Sequence, residues 1–249
     1  MNDIMQNREF MKCPSFLDGM RESDQQKGIP HPAYSKPAVG ALTTLPAFGA
    51  IDMSYDKLLD IRRSERKYDE TKPMSREELA FILWSAGGIQ EVKGHATLRP
   101  TPSGGARHPF ELYIAVQNVE SLAAGLYRYI PAENIGKKTV SLEYLGVIEG
   151  YKNRLTDAVF GQRWAASAAA CLFVSCLPYK AEWRYCEMAH RVILIDLGHL
   201  GQNVMLSAAA LGLGSCCMAA YDQKLCDEFL GLDGVDEYTV YVISLGETK

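Results

Sequence analysis

The sequence contains no GxGxxG after a strand-like run and no GxxxxGK[ST], so neither a dinucleotide fingerprint nor a Walker loop is present to bind phosphate. None of the seven cysteines, at 13, 171, 176, 186, 216, 217 and 226, stands in a CxxC pair. That odd set argues against a structural zinc site and suits reduced cytosolic thiols better than a disulfide framework, so no metal is expected. No run approaches the roughly 20 apolar residues of a membrane span, and MNDIMQNREFMK lacks the apolar stretch of a secretory signal. The expectation is a soluble, cytoplasmic protein. A strong excess of either charge is also missing: 26 Lys and Arg face 30 Asp and Glu, for a formal net charge of −4. General attraction for nucleic acid or an anionic membrane is excluded, and any bound phosphate must be held locally.

What is present is ordinary globular material: 249 residues, 47% hydrophobic and 22% charged, enough for one substantial core. Residues 1–50 are rich in Pro, Gly and Ser or Thr and read as an extended arm needing a surface to lie on. Residues 51–249 read as the domain. Tyr55 onward (YDKLLDIRRSE) and SREELAFILWSAGGI carry helical spacing, with a Ser75–Glu78 capping box starting the second helix and Gly87–Gly88 ending it. ELYIAVQ, GLYRYIP, ACLFVSCL and YTVYVISLG read as strands, and LEYLGVIEGYKNRLTDAVF as a helical stretch. HRVILIDLGHLGQNVMLSAAALGLG is a long helix whose small residues Ser207 to Ala210 permit close approach by a second helix. The fold class is α+β, with a mixed central sheet flanked by helices.

Three segments carry candidate chemistry. Arg62-Arg63-Ser64-Glu65-Arg66 places three guanidiniums and a hydroxyl within five residues, an anion trap suited to a phosphorylated cofactor, or else a solvated basic turn. Pro102-Ser103-Gly104-Gly105 precedes a strand, where small residues let backbone amides approach a ring or phosphate edge; a plain turn leading into the strand explains it equally. After the ALGLG helix end comes Ser215-Cys216-Cys217-Met218-Ala219-Ala220, able to floor a flat aromatic ligand or simply to join helix to strand. The vicinal cysteines read as small buried residues.

Taken in order, these segments resemble the nitroreductase-like flavoenzymes over about residues 50–249. The resemblance implies an FMN-dependent oxidoreductase working as an intertwined homodimer. In it Arg62, Arg63, Ser64 and Arg66 would hold the FMN phosphate and ribityl chain, assisted by Lys249. Pro102, Ser103, Gly104 and Gly105 would approach the cofactor, and Met218, Ala219 and Ala220 would lie by the isoalloxazine and offer N5 a backbone N–H. Many members carry an acidic residue and a glycine where Ala219 and Ala220 stand. REFMK, PHPAYSKP, RPTPSGGARHPFELY, GLYRYIP and DLGHLGQNVMLSAAALGLG are together similar to the branch of azoline-oxidising dehydrogenases of peptide natural products. The Lys-Tyr pair of that branch, assigned to proton handling, aligns with Arg184 and Tyr185, the candidate catalytic residues. Arginine stays protonated, so it can stabilise charge but is a poor general base. A surface pair at a helix start is the alternative.

His108 and His199 read as hydrogen-bonded structural residues. NAD(P)H is the implied co-substrate, and a nitroaromatic, quinone, enone-like compound or small metabolite the implied small-molecule partner. A flavin-binding protein without catalysis, a redox sensor, an azoline dehydrogenase, and a cofactor-free interaction domain are the competing readings.

Overall fold

A computed structural model describes residues 3–12 and 21–249. Cys13 lies outside the described residues. In chain order the elements are α1 (Asp3–Met11), β1 (Leu42–Leu45), α2 (Tyr55–Ile61), α3 (Arg76–Gly87), β2 (Glu91–Lys93), β3 (Ala96–Leu98), β4 (Phe110–Val116), β5 (Gly125–Tyr129) and β6 (Val140–Gly146). They continue with α4 (Tyr151–Ala158), α5 (Arg163–Ala166), β7 (Ala170–Cys176), α6 (Tyr179–Tyr185), α7 (Ala189–Ala210), β8 (Gly214–Met218), α8 (Gln223–Leu230) and β9 (Tyr238–Gly246). A seven-stranded sheet runs β1-β6-β5-β4-β7-β9-β8 with antiparallel neighbours, and a parallel bridge from Ser64 to Ser215 borders its β8 edge. β2 and β3 form a separate hairpin.

Helices cover both faces, which is why the central strands read as unbroken apolar runs. In β4, Leu112, Ile114 and Val116 join the core beneath α3 and α7, while Tyr113 and Ala115 face the core beneath α4 and α8. α3 starts at the expected capping box: the Glu78 N–H donates to Ser75 Oγ, and Glu78 Oε2 accepts from the Ser75 N–H at 2.7 Å.

Two expectations need correction. LEYLGVIEG belongs to β6 and the turn after it, and helix begins only at Tyr151, following Gly150 at φ 68°. Val140 and Leu142 alternate with Ser141 and Glu143, a two-residue period fixed by pairing with β5 and β1. The second correction concerns the surface on which the N-terminal arm lies, which the same chain supplies. Leu45 is buried in the chain's own core, and Phe48 packs on Phe81 and Trp84 at ring distances of 5.0 and 5.4 Å. Buried carboxylates fasten the arm: Glu143 accepts the Val39 and Gly40 N–H groups at 2.6 Å each, and Glu111 accepts the Lys36 N–H at 3.1 Å. The small-residue run Ser207 to Ala210 does receive a second helix. Ser207 Oγ donates to Ser85 Oγ at 2.7 Å and Ala208 is fully buried, so part of this run receives α3 of the same chain.

The stretch Tyr179–Ala210 is apolar and long enough to cross a membrane, contrary to the reading of the sequence alone. Its packing against α3 and the sheet accounts for that apolarity.

Candidate active site

The basic segment begins where α2 ends. The Arg62 N–H closes that helix on Leu58 O, and the chain then runs along β8, with the Glu65 N–H donating to Ser215 O at 2.9 Å. Glycine at 214 permits this approach, because a Cβ there would lie 2.6 Å from Thr248 Cγ2 and 3.0 Å from Glu65 Cβ. The C-terminal tail is zipped to the same segment: the Asp69 N–H donates to Glu247 O at 2.9 Å, and the Lys249 N–H to Lys67 O at 3.3 Å. Arg63, Lys67 and Lys249 consequently line one open cleft of about 350 Å³, beside Glu65 and Gly212 at the end of α7. Three cations against one carboxylate make a site for a dianionic group.

The other members of the segment diverge. Arg66 lies over the Trp164 ring, 5.5 Å from its centroid, Arg62 is half-buried, and Ser64 is exposed. Met218 is buried at the end of β8, and Ala219 and Ala220 form an exposed turn whose last carbonyl accepts from Gln162 Nε2 at 2.8 Å. This turn and the basic cleft mark the two ends of one edge strand, about 13 Å apart at strand rise.

The Pro102–Gly105 loop lies elsewhere, against the first half of α7. Thr101 Oγ1 bonds Ser85 O and Ala86 O, and Asn203 Nδ2 donates to Thr101 Oγ1 at 3.1 Å. Ser103 Oγ donates to Asp196 Oδ2 at 2.6 Å and accepts from the His108 N–H at 2.9 Å. The Gly104 N–H donates to both Asp196 oxygens, at 3.0 and 3.1 Å. In this structure, then, Ser103 and Gly104 direct their donors at Asp196, a residue that sequence reasoning missed. A lone carboxylate within an apolar helix was the available signal. Burial raises Asp196 above the ordinary aspartate value, opposed by these two donors.

Gly105, at φ 56°, packs on the candidate catalytic pair at the end of α6. A Cβ there would lie 2.6 Å from Tyr185 Oη and 2.7 Å from Arg184 Cδ. Arg184 Nη1 donates to Gln25 Oε1 at 2.8 Å, and its guanidinium stands 5.5 Å from the Tyr185 ring centroid. His108 is the buried structural residue expected: Nε2 donates to Thr97 O at 3.1 Å, and burial pushes its pKa down to about 3. His199, by contrast, stands exposed on α7.

Two of the three predicted segments are thus joined along β8, while the Gly-Gly loop meets Arg184 and Tyr185 at the opposite end of α7. Asp196 and Ala209 are about 20 Å apart at roughly 1.5 Å rise per residue.

The nitroreductase family profile matches residues 59–247. A nitroreductase-like protein of Methanocaldococcus jannaschii is 29% identical over 198 residues, covering 78% of this chain and 93% of that protein. The trifolitoxin-processing protein TfxB of Rhizobium leguminosarum bv. trifolii is 30% identical over 213 residues, covering 81% of this chain but only 53% of its own length. Among solved structures, a chain of the Escherichia coli microcin synthetase McbBCD complex, with truncated pro-MccB17 bound, superposes with TM-score 0.60 at 20% identity. That match covers 95% of this chain and 85% of the other. The class to which the family profile points is the flavin-dependent oxidoreductase. The chain belongs to the nitroreductase family.

Proposed function

We propose that the chain is a cytoplasmic FMN-dependent oxidoreductase, homodimeric, with one FMN held per subunit in the basic cleft. The observation that carries this reading is the meeting of Arg63, Lys67 and Lys249 beside Gly212, a donor set that fits a phosphate. Bound there, FMN would supply hydride exchange at N5 between NAD(P)H or a small metabolite and a nitroaromatic, quinone or enone-like acceptor. The chain's own residues bind and orient: Arg63, Lys67 and Lys249 neutralise the phosphate, with Arg62, Ser64 and Arg66 close along β8. Met218, Ala219 and Ala220 border the ring end. Arg184 and Tyr185 stabilise charge on the reacting partner, Arg184 as a fixed cation and Tyr185 through its hydroxyl.

The Pro102-Ser103-Gly104-Gly105 loop and Arg184–Tyr185 are about 20 Å along α7 from the cleft of their own chain, so we assign them to the flavin bound by a second copy. The exposed apolar face of α7, with Leu194 and Ile195 each 53% exposed, and the half-exposed Leu59 and Ile61 next to the cleft supply a surface for it. Yellow protein with about one FMN per chain, bleached by NAD(P)H and reoxidised by an acceptor, is the expected result. Colourless protein that also refuses added FMN would overturn the reading. Sedimentation at twice 27.6 kDa tests the dimer, and a folded, FMN-loaded monomer would overturn it.

A second reading, azoline dehydrogenation in peptide biosynthesis, is favoured by the similarity to TfxB. Arginine at 184 opposes it, because a permanently charged guanidinium does not accept the proton. Release of an oxidised azole from an azoline-bearing peptide would establish it.

A further inference from the structure

The Gly104–Gly105 turn is flanked by two guanidiniums that form no ion pair with a carboxylate among the described residues. Arg107 Nε donates to Gly105 O at 2.9 Å, and a second of its nitrogens donates to His95 O. Its guanidinium carbon lies 5.0 Å from the Trp183 ring centroid, and the residue is 92% buried by its 8% exposure. Arg184 approaches the same glycine from the other side, its Nε 2.7 Å from the position a Gly105 Cβ would take. It donates to the neutral amide of Gln25. Neither arginine forms an ion pair among the described residues, although the protein has more acidic than basic side chains.

Two buried cations elsewhere in this protein are paired with carboxylates, unlike these. Arg128 meets Glu143 at 2.6 Å and Lys180 meets Glu111 at 2.7 Å. Two like charges beside one glycine repel, a cost that an anion bound there would offset. Arg107 is fixed by backbone carbonyls and by stacking on Trp183, while Arg184 is half-buried and reaches Gln25 of the arm. A planar fork held in place and a second cation beside it match an oxyanion.

We propose that Arg107 and Arg184 form an oxyanion-binding subsite beside Gly105, so that the molecule exchanging electrons with the flavin carries a carboxylate or a phosphate. This deepens the proposed oxidoreductase reading and rests on it for the identity of the reaction, but not for the binding event. The neutral part of the substrate lies toward the flavin and the anionic group toward the arginines. Gly105 is required because a side chain there would press on Tyr185 Oη at 2.6 Å and on Arg184 at 2.7 Å.

Calorimetric titration of the protein as purified, with benzoate in one arm and inorganic phosphate in the other, tests the subsite without requiring turnover. One ligand should bind at about one site per chain, and its affinity should fall at least tenfold in Arg184→Met and again in 0.5 M sodium chloride, about the effect of one charge-assisted bond. Arg107→Lys, which keeps the charge but not the fork, guards against misfolding of more severe variants and should cost several-fold. Stronger binding of benzoate identifies a carboxylate substrate, and stronger binding of phosphate a phosphorylated one. In turnover, 4-nitrobenzoate should exceed nitrobenzene in kcat/KM at low salt. Absence of binding by either probe, or binding unchanged in both variants, overturns the subsite. Turnover of nitrobenzene in that case would leave the oxidoreductase reading standing. Anion binding in a protein that takes up no flavin would sink that reading and keep the subsite.

Discussion

The two ends of α7 treat polar groups in opposite ways. At its C-terminal end, Arg63, Lys67 and Lys249 open into a cleft with Glu65 as the one carboxylate among the residues named there. At its other end, Ser103 and Gly104 are closed around Asp196 in bonds of 2.6 to 3.1 Å, and the His108 N–H donates to Ser103 Oγ. An open cationic cleft is built to receive charge, whereas a satisfied polar loop is built to hold a shape. On the proposed function, the first end would supply affinity and the second orientation, with Gly105, Arg184 and Tyr185 carried on the closed side.

The largest expected effect breaks the receiving end. Arg63→Ala combined with Lys249→Ala removes two charge-assisted contacts worth about 1.5–3 kcal/mol each, so the FMN dissociation constant should rise by about 100-fold or more. Fluorescence titration of the apoprotein reads it directly, and an unchanged constant would show that the phosphate lies elsewhere. Mixing this variant with Gly105→Val sharpens the comparison. If each flavin joins the cleft of one chain to the loop of the other, random pairing restores about one quarter of the sites, though both parents are inactive. No recovery after remixing would place both ends of α7 at separate functions.

Next in size is Gly105→Ala. Its φ of 56° and the 2.6 Å separation of a new Cβ from Tyr185 Oη both oppose the change. A loss of about 1–3 kcal/mol in stability is expected, together with reduced turnover at saturating acceptor. Unaltered kcat and melting temperature would mean that the loop does not position the pair.

Much of this was legible in the sequence, and where it was not the missing information is tertiary. The capping box at Ser75 and Glu78 is a local device and was found from spacing alone. β6 was read as helix because Leu142, Tyr144 and Leu145 also fit a helical stripe, and only pairing with β1 decides between periods. The arm looked unsupported because the acceptors for its backbone, Glu111 and Glu143, lie about 75 and 103 residues downstream in buried strands. Sequence also marked RRSER and Lys249, but the division of labour among the arginines depends on Trp164, which draws Arg66 aside. Lys67 escaped notice because its place in the cleft is fixed by the returning tail.

A smaller effect concerns acid stability. His108 is held near 3 from an ordinary value of 6.5, chiefly by burial, with Arg99 nearby adding to the shift. The unfolded chain therefore takes up a proton that the folded protein refuses, and stability is lost as pH falls from about 6.5 toward 3. Denaturant melts of His108→Gln should lose this part of the acid slope, up to about 1.4 kcal/mol per pH unit. A slope equal to that of the parent would show that the ring is not the group responsible.

Asp196 acts in the opposite sense and is the finer test of the closed end. Its folded value is raised above 3.8 by burial, with the Ser103 hydroxyl and the Gly104 N–H offsetting part of that cost. The folded protein keeps a proton that the unfolded chain would release, so Asp196 stabilises most at or below about pH 3.8, and this contribution is lost as pH rises through the folded value. Asp196→Asn retains a carbonyl acceptor for Ser103 or Gly104 but cannot ionise. The stability of the parent relative to this variant should therefore decline as pH rises from about 4, until Asp196 is fully ionised in the folded protein. Opposing carboxylates elsewhere, such as Glu143 held low by Arg128 and the Val39 and Gly40 amides, cancel in this difference because both proteins contain them. A relative stability that rises with pH over the same interval would mean that the loop donors outweigh burial. Asp196 would then be a charged anchor rather than a strained one, and the closed end would depend on its ionisation.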